Sequence, residues 1–187
     1  MTDIEKLSKL FRAIVRNYHT FGAVWKNMEL GKQAFRLMKG LPPVVEGEFD
    51  TQEEKATLLH QMLEHMNETS TPRFCLEVRE YIRSLYPDYE DNNEAIARLQ
   101  DYLDPGLSME EYCAKYGRHL KFDPVERTRQ WEEVIYRVEK ECDNALKDEP
   151  HYMGFCFIYW SAKQKELKRY GIDWRSPSEM NPHVMFD

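Results

Sequence analysis

The densest group of residues able to do chemistry in this chain is His60-Gln61-Met62-Leu63-Glu64-His65-Met66-Asn67-Glu68. His60 and Glu64 are four apart, so in a helix they share one face, and Glu68 extends that face by a turn. Imidazole and carboxylate are metal-ligand types. A binuclear site in a helix bundle, however, takes Glu-x-x-His from each of two helices, and a zinc protease takes His-Glu-x-x-His. Neither motif occurs. The row therefore predicts a polar helix face, with Leu59, Met62, Leu63 and Met66 toward the core and no metal held.

Other constellations fail on a residue-by-residue check. Asp88-Tyr89-Glu90-Asp91-Asn92-Asn93-Glu94 looks like the start of a calcium loop. Its sixth position is Asn93 where Gly is required, and its twelfth is Leu99 where Glu is required. It predicts a polar turn whose Asn residues cap the next helix. Ser108 to Gly117 resembles half of a helix-turn-helix, but Asp123-Pro124 stands where the second helix should already be under way, and Arg118 to Phe122 is too long for the tight turn. The eight glycines are scattered, so phosphate-loop and dinucleotide motifs are absent, and there is no Gly-x-Ser-x-Gly elbow. No cofactor is expected.

His19, His119, His151 and His183 lie alone in sequence. Trp131, Tyr136, Tyr159, Trp160 and Trp174 serve either as core and core rim or as the walls of a small-ligand pocket. In the pocket reading the ligand-binding candidates are Trp131, His151, Tyr159 and Trp160. No residue is assigned a catalytic role.

These residues sit in a chain of 187 residues whose 42% apolar and 32% charged content favours charged helices over a sandwich or barrel. Such a length suits one domain, here read as a single helical domain over 1–187 with a possible N-terminal subdomain, 1–40, joined by the proline loop 41–50. Net charge is −7 but uneven: +5 over residues 1–40, −10 over 41–120 and −2 over 121–187. The basic start either packs on the acidic middle or serves as an arm for an anionic partner. The overall acidity disfavours nucleic acid. Met1 to Lys6 has no apolar run behind it, no 18-residue apolar stretch occurs, and Cys75, Cys113, Cys142 and Cys156 form no CxxC pair. The expectation is a cytoplasmic protein with reduced, mostly buried thiols.

Helix signals run the length of the chain. Thr2 with Glu5 caps a first helix with Ile4, Leu7, Phe11 and Ile14 on one face. A second stretch runs from about Phe21 to Met38, interrupted by Gly31 and ended at Gly40. Pro42-Pro43 breaks the chain. Thr51 with Glu54 restarts it to about Asn67, and Thr71-Pro72 opens the next helix, which stops before Pro87. Asn92 or Asn93 begins another, ended by Asp104-Pro105-Gly106. Ser108 with Glu111 caps a short one. Asp123-Pro124 reads as the clearest helix start, leading to Ala145. The last helix covers about Tyr152 to Tyr170, with a first half apolar all round that predicts a central position. After Gly171, six large apolar groups in residues 172–187 predict a strap over the protein's own helices, with Trp174 and Phe186 as anchors.

Together these predict an all-α, irregular bundle of about seven helices with a C-terminal non-helical strap. The expected function is a non-catalytic binding or interaction role, with a protein partner or self-association and no membrane span. The alternative is an enzyme or small-ligand sensor with an aromatic-lined pocket.

Overall fold

The computed structural model describes residues 2–186. Among these the fold is all-α, with nine α-helices, two 3-10 turns and a single Val45–Phe49 bridge. The chain divides into two compact units, one running to Gln100 and the other starting at Asp101.

The first unit contains α1 (Asp3–Tyr18), α2 (Asn27–Gly40), α3 (Gln52–Glu64), α4 (Pro72–Leu85) and the start of α5 (Glu90–Leu103). Thr2 and Glu5 form the capping box that their spacing predicts, and Thr51 caps α3 through the Glu54 amide. Helix α1 packs on α2, and α3 on α4. Leu7, Ile14, Phe35, Met38, Leu59, Met62, Leu63, Val78, Ile82 and Leu99 share one buried core. Gly31 belongs in the middle of α2 because Met66 lies against it: a Cβ there would stand 2.6 Å from the Met66 Sδ.

Two helix starts in this unit differ from the sequence reading. Helix α2 begins at Asn27, not Phe21, because Gly22 adopts a left-handed φ of 70° and a 3-10 turn, Val24–Lys26, intervenes. Buried Asn27 then donates to the Ile14 carbonyl (3.0 Å) and the His65 carbonyl (2.8 Å), so one amide fixes the ends of α1 and α3. Helix α5 starts at Glu90, which puts Asn92 inside the helix as a buried partner of Arg79 and not at its cap. The proline loop is held from α3 by Lys55, which is wholly buried. Its Nζ donates to the carbonyls of Leu41 (3.0 Å) and Pro42 (3.1 Å).

The second unit contains α6 (Met109–Lys115), α7 (Arg129–Ala145), α8 (Phe155–Arg169) and the single-turn α9 (Pro177–Met180). Asp123-Pro124 does not open α7. It opens a 3-10 turn, Pro124–Arg127, and Thr128 in extended conformation caps α7 through the Trp131 amide. The break frees Arg127 to reach back. Its guanidinium donates to the carbonyls of Asp101 (3.0 Å), Tyr102 (2.5 Å) and Leu107 (2.7 Å), closing the end of α5 and the turn after it.

The strap is present over residues 172–181. Ile172 and Trp174 are buried. The Trp174 indole donates to Glu126 (2.8 Å), Arg175 engages Asp123, and Asn181 exchanges two 2.8 Å hydrogen bonds with the Lys121 backbone. Trp174 is therefore the deep anchor. Phe186 rests edge-on against Trp160 at 5.1 Å, beside exposed Val184 and Met185.

Candidate functional site

Three of the four aromatic and histidine candidates, Trp131, His151 and Trp160, take part in separate ring groups. Trp131 is buried on α7, 6.0 Å from Trp174, with the Lys163 Nζ 5.1 Å above its ring. That ammonium is paired with Glu139 at 2.6 Å, both side chains nearly buried. His151 stacks on Phe155 at 4.1 Å. Trp160 meets Phe157 at 5.4 Å and Phe186 at 5.1 Å. Tyr159 is half-buried on α8.

The His60–Glu68 row has a clearer setting. Leu59, Met62, Leu63 and Met66 do face the core. His60, Glu64 and Glu68 line a cleft of about 770 Å³ in the first unit, together with Tyr18, His65, Arg79, Asp91 and Arg98. Arg79 is buried at its base. Its Nε donates to Glu68 at 2.6 Å with a second nitrogen on the same carboxylate, and Nη1 donates to the Asn92 Oδ1 at 3.3 Å. This is a charge-assisted pair of the strong kind. Sequence reasoning missed Arg79 because its partners come from the 65–71 loop and from α5. Among the described residues no group of three or more His, Cys, Asp or Glu is placed to hold a metal ion.

His60 packs at a tilt against Tyr89 at 4.8 Å, and its buried Nδ1 has no hydrogen-bond partner among the described residues. Burial first, and the Arg79 guanidinium second, hold its pKa below the ordinary imidazole value, against the opposing pull of Glu64, Asp91 and Glu68. The unfolded chain therefore binds this proton before the folded one does. The stabilising effect is complete above about pH 6.5 and is lost as pH falls toward the lower folded value. Denaturant titrations between about pH 6.5 and 5 should show stability falling with acid, and His60→Gln should flatten that slope. An unchanged slope in the variant would assign the effect elsewhere.

The second unit corrects the expectation that α8 is central. Only Glu166 and Leu167 of this helix are buried, and Phe157 is 47% exposed. Two flanking segments add to the outward face: Tyr152 and Met153 before the helix, the latter 83% exposed, and Val184 and Met185 in the tail, the latter 95% exposed. Phe157, Trp160 and Phe186 are linked to one another through ring contacts. Further along α8 the outward side chains turn basic, at Lys165, Lys168 and Arg169, all exposed. The helix carries these charges near its C-terminus, where its dipole favours cations. Among the described residues no helix is long and apolar enough to cross a membrane. No family model, curated protein or solved structure matches the chain.

Proposed function

We propose that this is a non-catalytic binding protein that recognises another protein through the outward face of α8 and the end of the tail. The observation that carries this reading is the joined ring group of exposed Phe157 with half-buried Trp160 and Phe186, with exposed Met153 and Met185 close by in the chain. Exposed apolar groups that lie together and are bordered by charge mark interaction surfaces. Aromatic and Met side chains are those enriched in the centres of such surfaces.

The basic stretch of Lys165, Lys168 and Arg169 selects the partner's chemistry: an amphipathic segment with an apolar side and carboxylates beyond it. A second copy of the chain would bring the same apolar and basic groups in a two-fold pair, setting Lys165 and Lys168 against like charge, while Arg169 already has Glu166 at 2.7 Å. An anionic lipid surface would have to hold a chain of net charge −7.

The test is a photo-crosslinking residue in place of Phe157, used in the native cell, with the joined peptide identified by mass spectrometry. A protein segment rich in Asp and Glu is expected. The double variant Met153→Asp and Phe157→Asp should lose the partner while melting at an unchanged temperature, because both side chains are exposed. Cross-links confined to copies of the same chain, or Phe157-dependent binding to anionic vesicles, would overturn the reading.

A further inference from the structure

We infer that the cleft between α2 and α4 in the first unit binds a compact ligand carrying two or more linked phosphates. The cleft measures about 540 Å³ and is lined by Lys32, Phe35, Arg36, Lys39, Arg73, Phe74 and Glu77. That size suits a small organic ligand. Four cations face one carboxylate, in a chain whose net charge is −7. Such a local reversal of sign raises the concentration of anions at the cleft mouth.

The arrangement follows from helix geometry. Lys32, Arg36 and Lys39 stand at i, i+4 and i+7 on α2, so they form one ridge. Rising about 1.5 Å per residue, the ridge spaces its charges over roughly 10 Å, the reach of a short run of phosphates. Arg73 faces them from the first turn of α4, where the helix dipole is positive and anions bind best. Glu77 is tied to Lys39 at 3.2 Å and Lys32 to Glu29 at 3.0 Å. Both are exposed pairs, which release their cations to a stronger anion at little cost.

Two features favour phosphate over carboxylate or nucleic acid. Arg36 and Arg73 supply planar guanidinium forks, which match phosphate oxygens two at a time. The floor rings Phe35 and Phe74 pack edge to face at 5.9 Å, and Phe35 is buried, so it offers no open face for a base to stack on. Arg36 also lines a neighbouring cleft of about 420 Å³ with Lys6 and Lys9, so the positive surface continues past it. A phosphate chain longer than two therefore gains further cations.

Calorimetric titration of the full chain with inorganic tripolyphosphate tests this. Binding is expected, with a stoichiometry of one and weaker at higher salt. Arg36→Gln and Arg73→Gln should each weaken it about tenfold or more, while Arg83→Gln on the exposed side of α4 should leave it unchanged. Melting curves of the variants separate loss of binding from loss of fold. Two further arms identify the source of the phosphates. Tighter binding of a nucleoside triphosphate than of tripolyphosphate supports a free nucleotide ligand, and tighter binding of vesicles bearing polyphosphorylated headgroups supports a lipid one. Binding that citrate matches at equal charge, that survives both Arg variants, or that occurs only with a single-stranded oligonucleotide would overturn the assignment. None of these results depends on the α8 face, which lies in the other unit.

Discussion

Truncation after Gly171 is expected to destabilise the second unit by about 4–6 kcal/mol, the largest effect of any single change considered. Trp174 and Ile172 are buried, and a buried aromatic and a buried aliphatic side chain contribute about 2–3 kcal/mol each. The polar contacts add to this. Without the tail, the nearly buried Asp123 loses the Arg175 backbone amide at 2.8 Å and its guanidinium at 3.2 Å, and Glu126 loses the Trp174 indole. Glu126 is already pushed above the usual carboxylate range by burial, with the Trp174 hydrogen bond opposing that shift. Loss of the indole donor leaves a desolvated carboxylate with less to hold it. Thermal melts of the full and shortened chains should therefore separate clearly, and the shortened chain should bind a hydrophobic dye where Trp174 had lain against Trp131. Truncation after Asn181, which keeps Trp174 and the Asn181–Lys121 pair, should behave nearly as the full chain. Equal melting of the full chain and the chain ending at Gly171 would show that the strap does not hold the fold.

Arg79→Met is expected to destabilise the first unit by about 3–5 kcal/mol, the range for breaking a buried ion pair from one side. The Arg79 side chain is 5% exposed and that of Glu68 18%. Its loss leaves the Glu68 carboxylate with Arg98, at 3.6 Å, as its one cation among the described residues, and the wholly buried Asn92 without the donor to its Oδ1. A second change tells the pair's two effects apart. In Arg79→Met with Glu68→Leu, no uncompensated charge remains, so the double variant should recover much of the loss. Denaturant midpoints of the two singles and the double give the coupling directly. Strictly additive losses would mean that Arg79 acts through packing and not through Glu68. The Arg79 charge also holds the His60 pKa down, so in the single variant His60 should titrate closer to its unfolded value and its share of the acid slope should shrink.

Helix positions and caps were largely legible because their causes are local. A cap such as Thr2 with Glu5, Ser108 with Glu111 or Ser176 with Glu179 satisfies backbone amides within three residues. The spacing of Leu59, Met62, Leu63 and Met66 likewise needs only the helical period to name the buried face. Local signals misled where two devices competed over a few residues. Asp123-Pro124 starts a helix by every local rule, yet Thr128 offers a second cap five residues on, and the chain uses both in turn. The His60 row was legible as a polar face, but its place on a cleft wall was not, because Arg79 and Asp91 come from other helices.

By itself, then, the sequence determined an all-α fold, the starts of most helices and a tail that packs through Trp174, since backbone capping and apolar periodicity act within a turn or two. Tertiary structure alone decided which apolar surface is covered. The Phe155–Trp160 run is apolar all round, but covering each side takes a neighbouring element, and no residue within the run records that Phe157 faces outward. It also decided the long-range polar partners: Arg79 with Glu68, Arg127 with the carbonyls of 101–107, and Asn181 with Lys121, 60 residues away. Charged side chains have no period that marks a partner, so only the folded chain shows which charges are paired across the fold and which cations, as along α2 and the start of α4, gather on one cleft.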